Sequence, residues 1–230
     1  MVPRPTFLIL ALLLAACAGD RPAQTLPAKR RATGHSSAST SSAPLLVRGI
    51  VKLTPSLLFQ SCEAGPLMNV LDSTGDRIVS TYRFMQATEQ DGMYVLARGG
   101  ATAQGQMVFR ELEFAGRPDA GTGCGEAALD YLVMVRGTDP QWSLKLTGST
   151  LQFSGAGESA PIEFPAPAPD DSGGFKRYQT ISDNGAHTLH LLLIRSSCSE
   201  GRTGMYSAIS AAAVLDGKRR QGCGWRGRLP

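Results

Sequence analysis

Residues 142–153 read WSLKLTGSTLQF. Trp142, Leu144 and Leu146 alternate with Ser143, Lys145 and Thr147, and Leu151 and Phe153 continue the alternation beyond Gly148-Ser149. A period of two puts every second side chain on the same face, the mark of a half-buried strand. The glycine-serine break between the two runs turns the chain, so the stretch predicts an antiparallel hairpin.

The same grammar extends in both directions. Towards the N-terminus, Leu46–Leu53 is rich in Val, Leu and Ile and is followed by Pro55. Leu67–Leu71 ends at Asp72-Ser73-Thr74-Gly75, a turn. Ile78–Met85 suits a strand or a short helix, and Tyr94–Arg98 reads as a strand. In Met107–Phe114, Leu112 and Phe114 alternate with Glu111 and Glu113, again at strand period. Pro118–Gly123 is a glycine-containing break beside Cys124. Towards the C-terminus, Tyr131–Val135 and Leu189–Ile194 are apolar strands, and Tyr206–Leu215 is alanine-rich, strand or helix. Asp216-Gly217 suits the centre of a type I′ hairpin. Residues 165–174, PAPAPDDSGG, form a loop that cannot sit inside a sheet. The expected fold is therefore mainly β, with two small antiparallel barrel-like units at 45–130 and 131–230. At about 185 residues the body is large enough for one large or two small domains.

Four cysteines lie in this body: Cys62, Cys124, Cys198 and Cys223. Four cysteines allow three pairings. Two fall in each half, which favours Cys62–Cys124 and Cys198–Cys223. No C-x-x-C occurs and the spacings fit no zinc pattern, so disulfides are expected in preference to metal ligation.

The fifth cysteine has a different setting. Arg4 precedes an apolar run, Thr6–Ala16, that ends in Leu14-Ala15-Ala16-Cys17. About eleven residues are too few to cross a bilayer, which takes roughly 20, but they match a signal-peptide h-region. The LAAC sequence resembles the bacterial lipobox. That resemblance implies cleavage before Cys17 and acylation of Cys17, with residues 1–16 as the leader. Several acyl chains on one residue anchor durably where one holds only marginally. Ala18 follows the cysteine where aspartate would suggest retention in the inner membrane, so the expected location is the outer membrane, facing the periplasm. Residues 17–44 are rich in Ser, Ala, Thr and Pro, with one leucine and no aromatic residue. Such a segment reads as a disordered tether spanning on the order of 30 Å.

The chain carries 23 basic and 19 acidic residues. The excess lies outside the body: Arg4 is in the leader, and Arg21, Lys29, Arg30 and Arg31 oppose only Asp20 in the tether. A neutral body lacks the basic footprint of nucleic-acid binding. Lys218, Arg219, Arg220, Arg226 and Arg228 crowd the C-terminus and read as a solvated hairpin rim.

The sequence holds no G-x-S-x-G, phosphate loop or H-E-x-x-H. His35 is in the tether. His187 and His190, three apart on a strand, face opposite sides and cannot easily share a ligand. The methionines are scattered singly among apolar runs, as core filler is. No catalytic residue, metal ligand or cofactor is therefore assigned. Trp142, behind Asp139-Pro140, fits two roles: the floor of a ligand pocket, or a plug closing the end of a barrel. Asp139 and Trp142 are the candidate ligand or partner surface.

Two family resemblances rest on these residues. Gly137-Thr138-Asp139-Pro140-Gln141-Trp142, followed by Cys198, Tyr206 and Gly222-Cys223, resembles a family of small bacterial envelope lipoproteins with no settled activity. Its first motif usually reads G-N-E-P-F-W; here Asp139 replaces the glutamate and Gln141 the aromatic. The first half resembles the C-terminal OB-like domain of the NlpE family of copper-homeostasis and envelope-stress lipoproteins. The shared pattern is Arg48-Gly49, Phe59 with Cys62, a turn at Gly75, Tyr82, Tyr94 before a strand ending in Gly99, and Cys124. It implies a small OB-like barrel and a Cys62–Cys124 disulfide. The C-x-x-C of that family's other domain is missing, so the resemblance does not by itself imply a copper role. Together the readings predict a non-enzymatic envelope lipoprotein, a binding or sensory module with a protein partner in the envelope. The alternatives are an inhibitor of an envelope-attacking enzyme such as lysozyme, with Phe164–Phe175 as a wedge, or a small-ligand or copper binder.

Overall fold

Alternating apolar residues make strands, and here they close a barrel. The structure, a computed structural model, describes residues 44–118, 123–125, 129–155, 157, 159–200 and 204–228. Strands β1 (Leu45–Thr54), β2 (Ser56–Ser61), β3 (Met68–Asp72), β4 (Met93–Ala101) and β5 (Met107–Gly116) pair β1–β2, β2–β3, β3–β5, β5–β4 and β4–β1. All pairs are antiparallel except β3–β5. That ring of five strands has the topology of an OB fold. Only Pro55 separates β1 from β2, with Thr54 opposite Ser56. Val51, Phe59, Ile78, Met93, Val95, Phe109 and Leu112 fill the interior, with Phe59 and Phe109 edge to face at 5.1 Å.

The ambiguous stretch after the Asp72 turn is a helix, α1 (Arg77–Phe84). Asp72 fixes its start. Oδ1 accepts from the Thr74 amide at 2.9 Å, and Oδ2 accepts from the Ile78 amide at 3.2 Å. The Thr74 hydroxyl in turn accepts from the Arg77 amide at 3.1 Å. Two first-turn donors are thus satisfied by side chains, and Ile78, Thr81 and Tyr82 are buried.

The second half forms a nine-stranded antiparallel sheet. Its strands are β6 (Val133–Thr138), β7 (Gln141–Leu146), β8 (Thr150–Gly155), β9 (Ile162–Pro165), β10 (Asp170–Ser172), β11 (Phe175–Ile181), β12 (Thr188–Ile194), β15 (Ile209–Leu215) and β16 (Lys218–Arg226). Their order is β10-β11-β12-β15-β16-β6-β7-β8-β9. The hairpin at 142–153 is β7–β8, with Leu144 opposite Phe153 and Leu146 opposite Leu151. The sheet curls into a half-barrel, and the Thr180 hydroxyl of β11 donates to the Pro165 carbonyl of β9 at 2.7 Å. The proline-rich stretch 165–174 supplies part of both rims, where proline needs no ladder partner. The alanine-rich run is strand: Ala211 and Ala213 are buried and small enough to pack under Leu189, Leu191 and Leu193. Asp216 and Gly217 both have positive φ, 49° and 77°, as a type I′ turn demands.

The boundary expected between residues 130 and 131 is crossed by two short strands. β13 (Cys198–Glu200) and β14 (Met205–Ser207) leave the second sheet, and β14 pairs with β5 at Phe114 and Ala115. A third core cluster forms there, from Tyr94, Leu96 and Phe114 of the barrel with Leu129, Tyr131, Met205 and Trp225. The Phe114 and Trp225 rings lie 4.5 Å apart, and Trp225 Nε1 donates to the Tyr131 hydroxyl at 2.9 Å. The two sheets share this apolar seam.

Both disulfides join the pairs favoured by position: Cys62–Cys124 and Cys198–Cys223.

Candidate functional site

The long strand β5 is where the alternation of its sequence fails, and the failure makes the site. Leu96 pairs with Phe114 while Ala97 pairs with Leu112, and Arg98 pairs with Glu111 while Gly99 pairs with Phe109. Glu113 and Arg110 are therefore extra residues, each in a β-bulge. Bulges bend a strand and re-aim side chains, and they recur beside functional sites. Glu113, expected on the wet face, is fully buried instead.

A buried carboxylate needs partners. Arg98 Nε donates to Glu113 Oε1 at 3.0 Å, and Arg226 of β16 donates to the same oxygen. The bulged backbone is held as well, since the Glu113 carbonyl accepts from the Ala208 amide at 2.9 Å. Arg226 also donates to Glu111 Oε2 at 2.5 Å, while Arg195 lies 3.1 Å from Glu111 Oε1. Burial alone would raise the Glu111 pKa. Hydrogen bonds and charge from Arg226 and Arg195 outweigh it and hold the carboxyl below its ordinary 4.5. Burial alone would likewise lower the Arg226 pKa, and Glu113 and Glu111 raise it instead.

These charges border a cleft of about 410 Å³, lined by Thr74, Arg77, Arg110, Glu111, Arg195, Ser196, Ser197, Tyr206 and Arg226 among others. Four guanidiniums face one carboxylate. Arg77 comes from the first turn of α1, Arg110 from a bulge, Arg195 and the serines from the segment after β12, and Tyr206 from β14. A neighbouring cleft of about 380 Å³ shares Arg77, Ser197 and Tyr206, and adds the exposed Phe84.

The folded-state depression of Glu111 has a pH signature. A carboxyl depressed by folding adds stability that is present above pH 4.5 and is lost as the pH falls through the folded value. The stability of Glu111→Gln is accordingly expected to fall less steeply than that of the wild type below about pH 4.5. Equal slopes in urea titrations at matched pH values would remove Glu111 from the acid response.

The residues singled out from sequence are placed differently. Asp139 lines a separate groove of about 660 Å³, with Thr138, Leu192, Ile194, Cys198 and Arg219. Trp142 does not line it. It is 2% exposed, stacks on Phe153 at 5.6 Å, and its Nε1 donates to the Gln221 carbonyl at 3.1 Å. Trp142 is thus a plug of the second core, and its pairing with Asp139 as one surface is corrected. Gly137 makes room for it, since a Cβ there would lie 2.0 Å from Nε1. Phe164 is buried at 1%, so the proposed wedge lacks its leading aromatic. The C-terminal cations are not one solvated rim. Arg220 is buried with its guanidinium 5.5 Å from the Phe153 ring centre, and Arg228 pairs with Glu63 at 2.5 Å. His187 Nδ1 lies 2.7 Å from Asp216 Oδ2, while His190 is exposed. The hydrogen bond from His187 is the main cause that holds the Asp216 pKa down. Among the described residues no group of three or more His, Cys, Asp and Glu could hold a metal, and no helix is long and apolar enough to cross a membrane. Cys17, the stretch 1–16 expected as a leader, the cations Arg21, Lys29, Arg30 and Arg31, and His35 lie outside the described residues.

Sequence reading missed the arginine cleft because its members are scattered from Thr74 to Arg226. Comparison with protein-family models, curated proteins and solved structures finds no match for the chain.

Proposed function

We propose that the chain is a lipid-anchored binding module of the bacterial envelope, working by recognition and without catalysis. The observation that carries the reading is the joint occurrence of a leader ending in LAAC and a body closed by two disulfides. Disulfides persist where thiols meet an oxidising environment, such as the periplasm, and a leader of that form delivers a chain there. The cleft adds a recognition surface. Guanidiniums stay charged at all physiological pH values, so they bind anions well and transfer protons poorly. An outer-membrane position, a periplasmic face and an envelope protein partner complete the proposal. The inhibitor reading has less support, because Phe164 is core and the acids of the rim, Asp170 and Asp171, already pair with Arg177 and Lys176.

Metabolic labelling with a palmitate analogue tests the anchor. Wild type is expected to take up label and sediment with membranes. Cys17→Ala is expected to lose both properties. Unlabelled, soluble wild-type protein would sink the reading. Crosslinking in intact envelopes, read by mass spectrometry, is expected to yield one saturable protein partner.

A further inference from the structure

We propose that the arginine cleft between the barrel and the second sheet is a binding site for a phosphomonoester dianion. This names the ligand class of the recognition surface above and so rests on that reading.

The charges are arranged in two groups. Arg195 and Arg226 share Glu111, one on each carboxylate oxygen. Arg226 serves Glu113 as well. Arg77 and Arg110 carry no ion pair among the described residues, although they line the same cleft. Both are exposed, so they are reachable from solvent. Arg110 stands in a bulge that interrupts the β4–β5 ladder. A strand that gives up ladder pairing to aim a cation into a cleft is the arrangement expected of a binding residue.

The number and directions of the donors select the anion. A planar carboxylate is saturated by one or two arginine forks, and Glu111 already shows that state inside the cleft. A phosphate monoester presents three outer oxygens and nearly two charges, and it accepts from several directions at once. Here guanidiniums arrive from α1, from β5 and from the segment after β12, with the Ser197 and Tyr206 hydroxyls beside them. The Thr74 hydroxyl is not available as a donor, because it donates to Asp72 Oδ1. The Ser196 hydroxyl is likewise used, donating to Ser210. Glu111 is the opposing charge. It lowers the site's affinity for any anion. The dianion could belong to a soluble molecule or to a lipid headgroup; the chemistry at the cleft is the same.

Calorimetric titration of the full chain, purified in non-ionic detergent, at low ionic strength, tests this directly. Inorganic phosphate is expected to bind saturably at one site. The double variant Arg77→Ser/Arg110→Ser is expected to weaken it at least about tenfold, the scale of losing charge-assisted bonds. Glu111→Gln is expected to tighten it. Acetate is expected to bind far more weakly. Absence of saturable heat, unchanged affinity in the double variant, or equal affinity for acetate would overturn the proposal. Vesicles of phosphatidylcholine with phosphatidic acid decide the source. Competition with phosphate supports a lipid headgroup, and no competition supports a soluble phosphomonoester. Arg77 and Arg110 are exposed and Glu111 is half-buried, and urea unfolding confirms that both variants fold. The titration needs no knowledge of where the chain resides, so its failure leaves the labelling experiment standing.

Discussion

Trp142→Ala is expected to lower the unfolding free energy by about 3–5 kcal/mol, the range for removing a large aromatic side chain from a packed core. The indole is 2% exposed, stacked on Phe153, and its N–H is satisfied by the Gln221 carbonyl. On one side its neighbours are backbone, which cannot follow it inward. A Cβ at Gly222 would lie 2.3 Å from the Arg136 carbonyl oxygen and 3.0 Å from Cζ2 of the indole, so β6 and β16 are already at closest approach beside the ring. The void therefore stays open, which is the condition for the upper part of the range. Urea unfolding at neutral pH reads the loss as a lower midpoint at unchanged slope. Trp142→Phe is expected to cost less, since most of the volume remains. A Trp142→Ala variant of wild-type stability would return Trp142 to the role of pocket floor.

Removing the Cys62–Cys124 bridge by serine at both positions is expected to cost about 4 kcal/mol. The bridge closes a segment of 62 residues, and the entropy withheld from the unfolded chain grows with the logarithm of that length. The bond ties the end of β2 to the segment beyond β5, so it clamps the barrel across its joining point with the second sheet. The Cys62 amide also donates to the Arg48 carbonyl at 3.1 Å, and this contact survives the substitution. Thermal unfolding of the double serine variant is expected to show a midpoint roughly 10 °C lower or more. Wild type in strong reductant loses the Cys198–Cys223 bridge as well and should unfold below it. A variant that melts with oxidised wild type would show that the bridge is dispensable.

The elements legible in the sequence are those made by local rules. The hairpin at 142–153 shows itself by alternation, the Asp216-Gly217 turn by residues that tolerate positive φ, and the two bridges by one pair of cysteines in each half. The OB-like topology entered through a resemblance, and the ring of β1 to β5 has that form. What stayed hidden depends on distant partners. Glu113 looks like an outward residue of β5, because nothing local announces a bulge or the arrival of Arg226 more than a hundred residues later. Tyr206 looks like the start of one alanine-rich element, yet Met205–Ser207 turns away to pair with β5 while Ile209–Leu215 stays in the other sheet. The cleft inherits this difficulty in full. Its arginines are isolated in sequence, and only the chain's crossing between sheets assembles them.

That crossing also governs the order in which the molecule can be completed. Chains emerge N-terminus first, and domains usually finish as they emerge. The five barrel strands are all present by Gly116, but Tyr94, Leu96 and Phe114 wait for Met205 and Trp225 to cover them. Until Trp225 has appeared, the early barrel carries an uncovered aromatic face. A product interrupted or clipped before Trp225 therefore advertises its own incompleteness to chaperones and proteases.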